Sequence, residues 1–194
     1  MIRILSRIGA VRAMIALGVF SVAGVVPLSA QGTAANADAQ EIQQVLFAEQ
    51  LEEQTCCLAP LAYRTTVQAL PAVAVQSMQV QISSDVGTLY SGPLRNTQTT
   101  LLQRAASVQG EGSIEVAGGV DSINITHLSI EGTTATATGN VTKWLKSLVG
   151  ARDGSSQPLF GRATNDFTDT LARTPDGWRI TAESITPAPG EGMG

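Results

Sequence analysis

Residues 166–180 of this 194-residue chain read DFTDTLARTPDGWRI and predict a β-hairpin. The Pro-Asp-Gly triplet at 175–177 is strong turn chemistry, because proline presets φ and glycine is free to adopt positive φ. If Arg173 pairs with Trp178 across this turn, alternate side chains share one face of the hairpin. That face comprises Phe167, Asp169, Leu171, Trp178, Ile180 and Ala182. It is apolar except for one carboxylate.

A second hairpin is predicted in residues 122–142, with Glu131-Gly132 as its turn. Before the turn the apolar residues change phase near Thr126-His127, which predicts a β-bulge and a curved strand. These apolar residues are Ile123, Ile125, Leu128 and Ile130. After the turn, a face of small residues suits close packing of a helix against the sheet. That face comprises Ala135, Ala137, Gly139 and Val141.

An amphipathic helix is predicted over residues 39–54. Asp38 followed by Glu41 is a variant of the capping box that begins many helices. Apolar residues near helical spacing define the buried side, and acidic residues are assigned to the exposed side. The apolar residues are Ile42, Val45, Leu46 and Leu51, and the acidic ones are Glu41, Glu49, Glu52 and Glu53.

The middle of the chain has weaker patterns. Met78, Val80 and Ile82 alternate with polar residues, which predicts a first strand over residues 73–83. Residues 99–108 are compatible with either a helix or a strand.

Residues 1–30 have the pattern of a signal peptide. Three arginines and no acidic residue precede an apolar run of 14 residues, 13–26, which is shorter than the roughly 20 needed to span a bilayer. Ala30 places a small residue at the expected cleavage position. We therefore expect export to the periplasm or the extracellular space, with an uncleaved anchor as the alternative.

The expected mature chain is acidic. Residues 31–37 are predicted to be a flexible lead-in, 38–186 a single α+β domain and 187–194 a disordered tail. Loss of residues 1–30 removes three of 12 basic residues, so nine face 16 acidic ones and the net charge changes from −4 to about −7. This balance disfavours nucleic acid as a partner. Membrane contact is expected only through the signal segment.

The two cysteines of the chain are adjacent, at positions 56 and 57. Three interpretations are open: two packed thiols at a helix end, a disulfide between neighbours, or a covalent link to another chain. A disulfide between Cys56 and Cys57 is strained, but an oxidising compartment favours an oxidised form. Two cysteines and a single histidine are too few ligands for a zinc site, and neither a metal nor a cofactor is expected.

The order of elements predicts an α+β domain, with helices on one face of a curved antiparallel sheet. Residues 125–137 (ITHLSIEGTTATA) and 169–180 (DTLARTPDGWRI) resemble the last strands of the nuclear transport factor 2-like (NTF2-like, or cystatin-like) superfamily. In element order the resemblance extends over residues 38–186. It implies a cone-shaped domain, homodimerisation through the sheet, and similarity to exported accessory or SnoaL-like members.

The superfamily includes ketosteroid isomerase-like and polyketide cyclase-like enzymes, small-ligand binders, and accessory proteins of transport and secretion machines. An enzyme of this kind needs a carboxylate in an apolar cavity, where burial raises its pKa. Asp169 is the candidate, and Tyr63, Tyr90 and His127 are candidate donors. The simpler interpretation is that Asp169 pairs with a nearby arginine or faces outward.

The sequence favours an exported, non-enzymatic domain that binds a small apolar ligand or a partner protein of an envelope or transport assembly. The residues expected to contact a ligand are Phe167, Asp169, Leu171, Trp178 and Tyr63. The alternative is an isomerase-like or cyclase-like enzyme that uses Asp169.

Cleavage after Ala30 predicts a mature protein that begins at Gln31. N-terminal sequencing of protein recovered from outside the cytoplasm checks this. Because the cleaving peptidase accepts only a small residue before the cut, Ala30→Arg should leave the precursor uncleaved. Recovery of the natural chain with residues 1–30 intact would contradict cleavage and favour the anchor.

Overall fold

The computed structural model describes residues 33–189. In this part of the chain, three α-helices precede four β-strands. The helices are α1 (Thr33–Thr55), α2 (Ala72–Leu89) and α3 (Gly92–Ser107), with a short 3-10 helix (Leu61–Tyr63) between α1 and α2. The strands are β1 (Ser113–Glu131), β2 (Thr134–Gly150), β3 (Ser156–Thr174) and β4 (Gly177–Pro187).

The strands form one antiparallel sheet in the order β1-β2-β3-β4, so each strand pairs with its neighbour in sequence. Both predicted hairpins are confirmed. Gly132 and Gly177 have positive φ in the two turns, and Arg173 pairs with Trp178. The predicted bulge is also confirmed, because the β1–β2 register shifts between Ile125 and His127. Two further shifts in β1 add to the curvature of the sheet.

The predicted strand over residues 73–83 is wrong, because these residues belong to α2. Its buried residues lie at helical spacing: Met78, Ile82, Val86 and Leu89. Val80, which the alternating pattern placed beside Met78 and Ile82, is 66% exposed. Three apolar residues at i, i+2 and i+4 do not separate the two periods, and here the longer run of positions decides. Residues 99–108, left open between helix and strand, lie mostly in α3.

Helix α1 is confirmed but begins earlier than predicted. Residues 33–37, expected to be flexible, are helical, in keeping with the high helix propensity of the alanines in this stretch. Asp38 is therefore inside the helix and does not cap it. The predicted signal segment, residues 1–30, lies outside the described part of the chain. Residues 190–194 of the predicted tail also lie outside it. The first residue of that tail, Pro187, is the last residue of β4.

The helices cover one face of the sheet, which confirms the predicted α+β class. The core lies between them, and it includes the small-residue face of β2, with Ala135, Ala137 and Val141 all buried. Gly139 belongs to the same face and lies directly beside Phe167 of β3. Among the described residues, no helix has the combination of length and apolarity needed to cross a membrane.

Gly139→Ala is expected to destabilise the protein. A methyl group at this position would lie 2.1 Å from the carbonyl oxygen of Asn124 and 2.8 Å from the Phe167 ring, so the strands must separate. The free energy of unfolding should fall by about 1–3 kcal/mol in urea denaturation. Gly161→Ala is the matched control, since no heavy atom lies within 4 Å of its added methyl. Equal stability of the two variants would contradict this packing.

Candidate functional site

A bulge in β4 determines which of its side chains lie on the inner face of the last hairpin. Leu171 pairs with Ile180 and Thr170 pairs with Ala182, so Thr181 is the extra residue. Beyond the bulge the side chains of β4 change face. Ala182, expected on the inner face, is therefore exposed, and Glu183 pairs with Asp169. Two carboxylates from neighbouring strands thus share the interior.

Helix α1 adds two more carboxylates to the same place. Glu49 and Glu53 were expected on the exposed side, but Glu49 is fully buried and the Glu53 side chain is only 16% exposed. They follow the buried residues Ile42 and Leu46 at helical intervals of seven. Glu49, Glu53, Asp169 and Glu183 are named the carboxylate cluster below.

Most members of the carboxylate cluster accept hydrogen bonds from buried donors. Glu49 accepts from Gln50 Nε2 at 2.5 Å and from the Tyr90 hydroxyl at 3.1 Å. Lys143 Nζ lies 2.6 Å from Glu53 Oε2, and the lysine is itself almost fully buried. Glu183 Oε1 accepts from Gln98 Nε2 at 2.6 Å, whereas its Oε2 has no hydrogen-bond partner.

Asp169 differs from the other three because neither of its carboxylate oxygens has a hydrogen-bond partner among the described residues. It is 0% exposed and lies between Phe167 and Leu171 on the inner face of β3. Neither Arg173 nor Arg179 pairs with it: Arg173 binds Asp38, and Arg179 donates to the backbone oxygens of Trp178 and Asp176. The inward orientation of Asp169 agrees with the alternation of the hairpin.

Burial and mutual repulsion change the acidity of the cluster. Burial, followed by the charges of Glu183 and Glu53, raises the pKa of Asp169 to about 7. Burial and the charge of Glu53 raise the pKa of Glu183 to about 7 as well. Burial also raises the pKa of Glu49 well above its ordinary value, with further contributions from Glu53 and Asp169.

The candidate ligand residues do not form one accessible site. Phe167, Leu171 and Trp178 are core residues with at most 2% exposure. Tyr63 lies in the 3-10 helix, which has no buried residue, and it takes no part in the hydrogen bonds of the carboxylate cluster. Of the candidate donors, Tyr90 reaches the carboxylate cluster, whereas His127 is exposed at the β1 bulge.

The adjacent cysteines are free thiols in the structure, which corresponds to the packed-thiol interpretation and not to a disulfide. Their sulfur atoms lie 3.1 Å apart, and Cys57 Sγ also contacts the carbonyl oxygen of Leu102 at 3.4 Å. The hydrogen bond with Cys57 and burial raise the pKa of Cys56. A thiol with a raised pKa is a poor nucleophile, so Cys56 is not expected to act as one.

The sheet extends well beyond β4. Residues 113–120, 143–150 and 156–164 form a three-stranded extension, named the sheet arm, whereas β4 pairs with β3 only from Asn165 onward. The backbone of Ala59 and the side chain of Arg64 bond to the β1 edge of the arm. In the described structure, the opposite edge, residues 156–163 of β3, has no strand partner on its outer side.

Exposed apolar side chains line this free edge. Leu159 and Phe160 are 60% and 62% exposed, and the Phe160 ring stacks on Trp144 with 6.1 Å between centroids. Arg162 bonds Asp121 at 2.7 Å beside them. A shallow surface depression of about 430 Å³ lies here, lined by Asp121, Trp144, Phe160 and Arg162.

Comparison with known proteins identifies similar folds. The sequence matches no protein-family model, and no curated protein is significantly similar to it. The intermembrane-space region of the chloroplast protein ARC6 superposes with a TM-score of 0.50 at 12% identity, over 78% of this chain and 98% of that region.

Two bacterial structures are also similar. An NTF2-like superfamily protein from Salmonella enterica serovar Typhimurium has a TM-score of 0.46 at 12% identity, over 82% of this chain and 99% of that one. CagV, a VirB8 homologue of the T4SS of Helicobacter pylori, has a TM-score of 0.43 at 9% identity, over 74% and 98%. At such identities the likeness concerns the fold.

The raised pKa of Asp169 predicts that the stability of the protein falls as the pH rises. The measurement is made in EDTA so that no metal ion bound to the carboxylates contributes. Between about pH 4 and pH 7 the folded protein retains a proton that the unfolded chain releases, so the free energy of unfolding decreases over this range. The decrease for Asp169 is on the order of 3 kcal/mol. Urea denaturation from pH 5 to pH 8 measures it.

Asp169→Asn should make the slope of this pH profile smaller, because one titrating group is gone while Glu183 and Glu49, whose pKa values are also raised, remain. Asp153→Asn is the control, since Asp153 is exposed in the β2–β3 loop and the profile should keep its slope. An unchanged slope in Asp169→Asn would show that Asp169 does not carry the effect.

Proposed function

We propose that the chain is a non-enzymatic, exported domain of NTF2-like fold that binds a partner protein of an envelope assembly through the sheet arm. The observation that carries this proposal is the unpaired β3 edge at residues 156–163, with Leu159 and Phe160 exposed on it. Export rests on the signal-peptide pattern of residues 1–30. The acidic charge of the chain fits a protein partner better than nucleic acid.

Burial of the cone interior favours a partner protein over a small apolar ligand. The interior residues that a ligand would contact, Phe167, Asp169, Leu171 and Trp178, are each no more than 2% exposed. A small ligand therefore reaches them only if the helices move away from the sheet. Binding at the arm requires no such movement.

The free edge of β3 has the chemistry for strand addition. An edge strand presents a row of unpaired N–H and C=O groups, which an extended segment of another chain can pair with. Alternate side chains lie on opposite faces of a strand, so Leu159 and Phe160 offer one apolar contact on each face. Pro158 removes one donor from the row, which limits how far the pairing can extend.

The Phe160 face adds a recognition surface beside this edge. Phe160 and Trp144 provide a stacked aromatic pair, and Arg162 and Asp121 provide charged groups at its border. Exposed aromatic residues bordered by polar groups are typical of protein interfaces. We therefore propose that an extended segment of the partner pairs with the β3 edge. Side chains of that segment then contact Phe160 and Trp144.

An isomerase-like or cyclase-like enzyme that uses Asp169 is the second candidate. It is favoured by one observation, a carboxylate with two unpartnered oxygens between apolar side chains. It is disfavoured by the full burial of Asp169, since a general base must come within hydrogen-bond distance of the substrate.

The proposal predicts that a photo-crosslinking residue at position 160 captures one envelope protein in cells. The same residue at position 101 should not, although Leu101 on α3 is comparably exposed, at 55%. The captured protein is then purified and its affinity is measured by calorimetry. Phe160→Asp should weaken binding at least tenfold, because it places a charge in the apolar contact, and Leu101→Asp should leave it unchanged.

Two results would overturn this assignment. Equal capture at positions 160 and 101, or an unchanged affinity of Phe160→Asp, would show that the β3 edge is not the interface. A crosslinked product of twice the mass of the chain would identify a second copy of the protein as the occupant.

A further inference from the structure

The carboxylate cluster contains more negative charge than the cations in contact with it can balance. Its members supply four carboxyl groups, and in the described part of the chain Lys143 is the cationic side chain bonded to them, through Glu53 alone. Bringing buried carboxylates together is costly unless they are paired, hydrogen-bonded or bound to a metal ion. The composition of the cluster therefore raises the question of a bound cation.

The oxygen positions fit a single ion. One carboxylate oxygen from each of Glu49, Glu53 and Glu183 lies within 4.8 Å of the other two. An ion at the typical calcium–oxygen distance of about 2.4 Å from each ligand can hold oxygens up to about 4.8 Å apart. The three glutamate oxygens therefore lie close enough together to be ligands of one ion.

Asp169 gives an independent indication of a ligand. Both of its oxygens are buried and lack a hydrogen-bond partner, and its cross-strand neighbour Glu183 has a second oxygen in the same state. Asp169 and Glu183 are paired across β3 and β4 on the inner face, and such neighbours have Cβ atoms about 5 Å apart, so the Asp169 carboxylate lies beside that of Glu183. Gln50 Oε1 is also buried without a partner, which makes a neutral oxygen available on α1.

We propose that the carboxylate cluster binds one hard divalent cation, with Glu49, Glu53 and Glu183 each supplying an oxygen and Asp169 a fourth ligand. All of these donors are oxygens, which calcium, manganese and magnesium prefer to the nitrogen and sulfur ligands of zinc sites. Calcium fits best, since it tolerates irregular oxygen shells, whereas magnesium retains several waters.

A cation at this position would join the helical layer to the sheet. Glu49 and Glu53 belong to α1, Asp169 to β3 and Glu183 to β4, so one ion would bridge three elements. Its role would be structural, because the ligands are buried and the ion is remote from bulk water. The inference does not rest on the function proposed for the sheet arm.

The test is calorimetric titration of the chelator-treated protein with CaCl₂, MnCl₂ and MgCl₂ at neutral pH, together with thermal unfolding. We expect one calcium or manganese ion per chain and a higher melting temperature than in EDTA. Glu183→Gln and Asp169→Asn should each weaken binding at least tenfold. Asp121→Asn removes an acid outside the carboxylate cluster and should bind as the natural protein does.

The proposal is overturned if none of the three salts gives a heat of binding or raises the melting temperature. It is equally overturned if Glu183→Gln and Asp169→Asn both bind with unchanged affinity, since the ion then lies elsewhere. Circular dichroism in EDTA establishes whether each variant is folded. If only one of Glu183→Gln and Asp169→Asn is folded, its affinity alone is compared with that of the natural protein. Phe160→Asp should leave cation affinity unchanged, so failure at the arm and failure in the cluster are separable.

Discussion

The contact between helix α1 and the β3–β4 hairpin is the constraint on which the rest of the structure depends. It centres on Trp178, which is fully buried, donates its backbone N–H to Glu41 at 3.0 Å and its indole N–H to Asp38 at 3.3 Å. Asp38 also pairs with Arg173 on the same hairpin. A buried indole stabilises the fold most when its N–H has a hydrogen-bond acceptor, and here the acceptor is on α1. This contact therefore determines the rotation of α1 about its axis.

That rotation decides what the interior contains. With Asp38 and Glu41 facing the hairpin, the next positions along the same side of α1 are Ile42, Leu46, Glu49 and Glu53. The first two complete an apolar core, and the last two bring carboxylates opposite Asp169 and Glu183. Buried carboxylates oppose folding when ionised, so the core must support them through Lys143, Gln98, Tyr90 and Gln50. Stability and the chemistry of the interior are therefore linked.

The molecule separates a closed interior from an open edge. The helices cover the sheet where β4 is present, and the arm continues past β4 with apolar side chains exposed to solvent. In the described part of the chain, the space between the helices and the sheet is filled by buried side chains. One part of the sheet thus faces the buried carboxylate cluster, whereas another part carries exposed apolar side chains.

The sequence alone determined both hairpins, the bulge at residues 126–127 and the α+β class, because turn residues and alternation are local properties. It also gave Asp169 as a candidate inward acid, although pairing with a nearby arginine or an outward orientation was the simpler interpretation. It did not reveal Glu183, since nothing in residues 177–187 marks the bulge at Thr181, which the pairing with β3 produces. Glu49 and Glu53 were assigned to solvent because acidic residues are rarely buried singly, although their spacing from Ile42 and Leu46 carried the signal.

Only the tertiary structure decided that α2 is a helix, that α1 turns its acids inward and that, within residues 33–189, no strand pairs with the outer side of residues 156–163 of β3. Each of these depends on contacts between segments far apart in sequence. The local pattern in α2 fits the helical and the strand period equally well, and no local pattern indicates what covers the edge of a strand. Burial by distant elements determines which face is inside, and no local rule contains that information.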